Sequence, residues 1–131
     1  LGAEAVQMGT RFLVAKECTV HPNYKQKVLA AKDISTMVTG RRLGHPVRSI
    51  KTTYTNAYAK LEADGNTTDE ELEQFGVGSL RFAAKEGDTE KGCFLAGQIA
   101  GLVKCEQSAK EIVDDVMAGA EKLMEGVKWD V

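Results

Sequence analysis

The sequence carries no excess of positive charge, few aromatic rings and no long apolar run. Its net charge is −2, so no global field recruits nucleic acid or an anionic membrane surface. Aromatic residues make up 6% of the chain, too few for a base-stacking platform. No apolar stretch approaches the roughly 20 residues that cross a bilayer. No basic segment followed by an apolar one is visible near the start, so a cytoplasmic protein is expected. Cysteine is scarce: Cys18, Cys93 and Cys105 are odd in number and widely spaced. That pattern fits reduced thiols better than a disulfide framework and has no metal-ligand spacing. No metal site is expected.

What remains is an ordinary globular composition, 43% apolar and 27% charged over 131 residues. This suits one domain with a real core. The most distinctive stretch is the opening one. Ala3, Ala5, Val6 and Met8 are apolar on both faces of an extended segment, which predicts a buried strand that needs neighbours on both sides. Gly9-Thr10 is a tight turn and Thr10 begins a short helix to about Lys16. Strand, turn and helix in that order are how parallel α/β proteins turn backbone N–H groups toward a phosphate. A plain turn at a helix start is the other reading. The chain starts Leu1-Gly2-Ala3 inside apparent structure, and strong partner strands do not follow, so a portion of a larger α/β protein is expected.

Downstream the pattern is mainly helical. Pro22 suits the first position of a helix running to about Lys32. β-branched residues near Ile34–Val38 and Val47–Ile50 predict short extended pieces. A helix is expected from Thr52 to Ala63. Thr68 and Glu71 form a capping box opening an acidic helix to about Phe75, and Ser108 and Glu111 form another. Gly76-Val77-Gly78 is a break, followed by a helical Ser79–Lys85. Cys93 to Val103 is apolar and rich in small residues, which permit close approach by a ligand or another element. In the last helix Ile112, Val113, Val116, Met117, Ala120, Leu123 and Met124 keep helical spacing, with Gly126 placed to cap its end.

Two blocks in this order resemble a known family. Gly2-Ala3-Glu4-Ala5-Val6-Gln7-Met8-Gly9-Thr10-Arg11-Phe12 is similar to the last barrel strand and phosphate turn of the flavin-dependent nitronate monooxygenase and enoyl-acyl-carrier-protein reductase II family. The likeness continues through Ala15-Lys16-Glu17, His21-Pro22-Asn23-Tyr24-Lys25 and Gly44-His45-Pro46-Val47-Arg48. It returns strongly at Ala96-Gly97-Gln98-Ile99-Ala100-Gly101-Leu102-Val103 and is loosest between Thr52 and Glu90. The blocks at His21–Lys25 and Gly44–Arg48 look more like the enoyl reductase branch.

The resemblance implies the C-terminal portion of a (β/α)8 TIM barrel: mainly α with a few short strands. Residues 1–17 would be the last barrel strand and phosphate turn, 18–105 an inserted helical lid domain, and 106–131 a helix packing back on the barrel. It implies FMN as cofactor, with Gln7, Met8, Gly9 and Thr10 along its phosphate and Gly97 and Gln98 near its ring or the substrate. It implies NADH or NADPH as co-substrate and an enoyl substrate, free or on an acyl carrier protein. The family's catalytic histidine lies upstream, so no catalytic residue is assigned in this chain, and His21 and His45 do not inherit that role. His21 reads as a helix-entry residue.

Arg41, Arg42 and Arg48 suit either a phosphate or a solvated basic loop. Gln98 reads equally as a ligand contact or a helix-packing residue. A nitronate monooxygenase and a non-catalytic helical interaction module are the alternative functions. A homo-oligomer is expected, because an unpaired apolar strand invites association.

Overall fold

The computed structural model describes residues 3–125. The start at Leu1-Gly2 and the expected helix cap at Gly126 lie outside the described residues. Residues 3–8 form no strand and are exposed, Val6 at 76%. This corrects the expected strand at Ala3–Met8, and the reason is the absence of a partner. A parallel strand draws its backbone hydrogen bonds from neighbours on both sides. The two regular strands among the described residues pair with each other and not with residues 3–8.

Those strands, β1 (Thr36–Thr39) and β2 (Val47–Ile50), pair antiparallel with Thr36 opposite Ile50 and Thr39 opposite Val47. The connection turns at Gly40, whose φ of +82° suits glycine. A Cβ there would also stand 2.5 Å from the His45 carbonyl oxygen. On its other side β2 receives the segment 94–96. Ile50 N–H donates to the Phe94 carbonyl at 2.8 Å, and Ala96 N–H donates to the Arg48 carbonyl at 3.2 Å. This short third pairing fixes where the loop at Gly97 begins.

The helices follow their local signals closely. α1 (Thr10–Leu13) is a single turn, shorter than expected. Beyond it Ala15 bridges in parallel to Gln107 instead of continuing the helix. α2 (Pro22–Leu29) starts with Pro22 at its first position, and His21 caps it by accepting the Asn23 N–H at Nδ1, 3.1 Å away. α2 ends three residues before Lys32, because Lys32 N–H turns to the Ser35 hydroxyl. α3 (Thr53–Ala63) begins at a capping box of Thr52 and Thr55. α4 (Asp69–Gly76) begins at the expected Thr68–Glu71 box. α5 (Ser79–Arg81) runs on as a π-helical turn, Phe82–Glu86, closed by Gly87 in the left-handed region. A 3-10 turn spans Gln98–Leu102. α6 (Ala109–Glu125) starts at the Ser108–Glu111 box.

Two apolar clusters hold these elements. The larger joins Val14, Tyr24, Val28, Ile50, Ala83 and Phe94 with the small residues of the 96–103 stretch. The other joins Tyr54, Tyr58, Leu72 and Cys93. α6 takes little part: Ile112 is buried, but Val113, Val116, Met117, Leu123 and Met124 are 36–75% exposed. Its apolar stripe has the predicted helical spacing and no cover among the described residues.

The clusters bury titratable groups, which makes the fold sensitive to alkali. Burial pushes the Tyr24 phenol far above the usual tyrosine range, although its hydroxyl donates to the Leu95 carbonyl at 2.7 Å. Burial also raises Tyr54, Tyr58 and Cys93. A raised folded-state pKa means the unfolded chain gives up its proton first. Stability therefore holds below the ordinary thiol and phenol values of roughly 8.5 and 10 and falls as pH rises through them. The melting temperature should be flat near neutral pH and drop above about pH 9, with a shallower slope in Tyr24→Phe. An unchanged melting temperature up to about pH 11 would contradict this sign.

Candidate functional site

The two distinctive sequence blocks meet at one bond. Thr10, only 8% exposed, accepts the Gly97 N–H at Oγ1 over 2.8 Å. The partners are 87 residues apart in the chain. Thr10 is fixed by α1, whose residues Phe12 and Leu13 both donate to the Gly9 carbonyl. Gly97 is delivered by the 94–96 pairing on β2. Because Thr10 Oγ1 accepts from Gly97, its hydroxyl proton remains available to a ligand oxygen.

Around this bond lies an open cleft of about 410 Å³, lined by Gly9, Thr10, Leu13, Val47, Arg48, Leu95, Ala96 and Gly97. Gly9 is exposed at its edge with φ −112°, and a Cβ added there meets nothing within 4 Å. The glycine is thus not required by this chain's own packing. It leaves room for something to approach the backbone.

Of the expected site residues, the structure brings Gly9, Thr10 and Gly97 together. Gln7 and Met8 are exposed in the irregular stretch before the turn and do not line the cleft. Gln98 is exposed at the first position of the 3-10 turn, also outside the lining. His21 is a helix cap, and His45 is exposed in the β1–β2 connection.

The three arginines separate clearly. Arg42 clamps the α3–α4 connection through the Thr67 carbonyl at 2.6 Å and Asp69 at 2.8 Å. Arg41 is exposed, and Arg48 lines the cleft. Sequence reasoning did not single out Leu13, Val47 or Leu95, whose apolar character has no signal apart from the core.

A second cavity of about 320 Å³ lies between α3 and α5, against the stacked rings of Tyr54 and Phe75. Among the described residues no cluster of three or more metal-ligating side chains forms, and no helix is long and apolar enough to cross a membrane.

This helix-rich arrangement with a few short strands is that of the C-terminal part of a (β/α)8 barrel protein. The nitronate monooxygenase family model matches residues 1–119, and the chain belongs to that family. It is similar to FabK, an enoyl-acyl-carrier-protein reductase II, from Thermotoga maritima. That structure shares 42% identity and a TM-score of 0.85 over 96% of this chain and 41% of that one. A probable nitronate monooxygenase of Staphylococcus saprophyticus is 31% identical over 95% of this chain and 34% of its own length. A carboxyl-CoA dehydrogenase of Rhodococcus jostii is 25% identical over 96% of this chain and 46% of its own. The chain thus spans about a third to a half of the proteins it matches.

Proposed function

We propose that this chain is the phosphate turn and helical lid of an FMN-dependent oxidoreductase that reduces enoyl thioesters with NADH or NADPH. The observation that carries the reading is the Thr10–Gly97 hydrogen bond, which ties the turn to the lid at one cleft. The residues present fit FMN: an uncrowded Gly9, a Thr10 hydroxyl able to donate to a phosphate oxygen, and apolar Leu13, Leu95 and Ala96 to meet a ring. Bound FMN supplies two-electron redox chemistry. This chain's residues hold and orient. Gly9 and Thr10 would fix the phosphate, Gly97 would sit against the ring or substrate, and the lid would exclude water. Residues 3–8 would gain their ladder partners, and the stripe of α6 its cover, from the rest of a barrel. The histidine that serves catalysis in the family would come from that part too.

The overall reaction adds a hydride at the β-carbon and a proton at the α-carbon of the enoyl thioester. The 42% identity to the FabK structure favours this over nitronate oxidation, and the CoA ester named for the Rhodococcus relative points to the same thioester class. Nitronate monooxygenase is the second reading, favoured by the family model and by the Staphylococcus relative. Assaying the complete protein for NAD(P)H oxidation with an enoyl thioester, and for oxygen uptake with a nitronate, separates them. Cytoplasmic location and self-association belong to the same proposal. A helical module without flavin is the outcome if neither activity nor bound flavin is found.

Gly9→Ala offers a clean check, because it should weaken binding and leave folding unchanged. The added methyl meets open space and φ is ordinary, so the melting temperature should not move. FMN affinity should fall about tenfold, as the phosphate is held off the turn. A loss of folding stability with unchanged flavin affinity would reverse the assignment.

A further inference from the structure

We propose that Arg48 is the lid's anion-binding residue and takes a phosphate of the second substrate, either the nicotinamide dinucleotide or the carrier arm of the thioester. The inference rests on the function proposed above. Arg48 is partly buried, and its side chain makes one hydrogen bond among the described residues, from Nη1 to Thr36 Oγ1 at 3.0 Å. No carboxylate lies within ion-pair distance of it among the described residues, whereas Arg42 pairs with Asp69 and Lys25 with Glu106. A half-buried guanidinium with no carboxylate on it keeps its charge and its remaining donors for an anion.

A guanidinium has five N–H donors in a planar fork, and Thr36 uses one. The threonine thereby tethers a corner and leaves a face suited to bidentate phosphate recognition. The other residues lining the cleft, Gly9, Thr10, Leu13, Val47, Leu95, Ala96 and Gly97, are uncharged. Arg48 is also locked in place by its backbone, since its carbonyl accepts the Ala96 N–H. It comes from the lid, and the flavin phosphate turn at Gly9–Thr10 comes from a different element. Two phosphate-reading groups on two elements fit two phosphate-bearing molecules. NAD(P)H and the phosphopantetheine arm of an acyl thioester both qualify.

The test begins with the 131-residue chain, isotope-labelled and titrated with inorganic pyrophosphate. Saturable shifts are expected in the amide signals of Arg48, Ala96 and Gly97, with affinity about tenfold weaker in Arg48→Gln and unchanged in Arg41→Gln. Thr36→Val keeps the charge and removes the tether, and should weaken binding a few-fold. It decides the matter if Arg48→Gln loses its dispersed spectrum. Absence of binding in the wild-type chain, or equal binding in the folded Arg48→Gln or Thr36→Val variants, overturns the proposal.

In the complete enzyme, Arg48→Gln should raise one KM about tenfold with kcat nearly unchanged. A rise for NAD(P)H assigns the dinucleotide phosphate, and a rise for the thioester assigns the carrier arm. Movement of neither KM overturns the proposal. Flavin content is read separately. A protein without flavin sinks the oxidoreductase reading, while the pyrophosphate titration still judges Arg48.

Discussion

Phe94→Ala should remove roughly 3–5 kcal/mol of folding stability, the cost typical of truncating a fully buried phenylalanine. Phe94 is 0% exposed and meets the Tyr24 ring edge-on, with centroids 5.0 Å apart. It also sits where the 94–96 segment joins β2, so the cavity would open beneath the loop that carries Gly97. Domains are stable by only about 5–15 kcal/mol, so this single change could consume a third or more of the total. Phe75 is the internal control. It stacks on Tyr54 at 5.3 Å but is 38% exposed, and its truncation should cost about 1 kcal/mol. Chemical denaturation of both variants tests the contrast. Equal losses, or a loss below about 1 kcal/mol for Phe94→Ala, would show that the larger cluster is not the fold's centre.

Thr10→Val should have the largest effect on the cofactor. Valine keeps the branched shape but has no oxygen to accept the Gly97 N–H. That partly buried N–H would then lack its partner, at a cost of about 1–2 kcal/mol. The same change removes the hydroxyl proton that faces the proposed phosphate and frees the Gly97 loop to drift. Together these should weaken FMN binding about a hundredfold, the scale of one charge-assisted hydrogen bond plus a lost anchor. Thr10→Ser retains the oxygen and should recover most of the affinity. Fluorescence titration of FMN in the complete protein reads the difference. Similar affinities for valine and threonine would remove Thr10 from the site.

Local chemistry was the most legible part of the sequence. The Thr68–Glu71 and Ser108–Glu111 boxes open helices where expected, because a capping box is complete within four residues. Pro22 and the β-branched runs placed α2, β1 and β2 for the same reason. The segment 3–8 failed because a strand's state depends on its neighbours, and here it has none. The stripe of α6 was legible while its partner was not: spacing tells which face is apolar and not what covers it.

The site divides in the same way. Gly9, Thr10 and Gly97 could be named from family resemblance, but no spacing rule joins positions 87 residues apart. Gln7, Met8 and Gln98 were carried by the same motifs and lie outside the cleft lining. Arg48 could not be told from Arg41 and Arg42 by residue type alone. Its place in the cleft lining and its tether to Thr36 set it apart.

The most direct test of the central claim is the flavin released on denaturing the complete barrel protein, identified by mass and counted per chain. The account predicts about one FMN per chain for a single site, retained in Thr10→Ser and largely lost in Thr10→Val. A protein purified without flavin, or one whose Thr10→Val variant keeps its full complement of FMN, would contradict it.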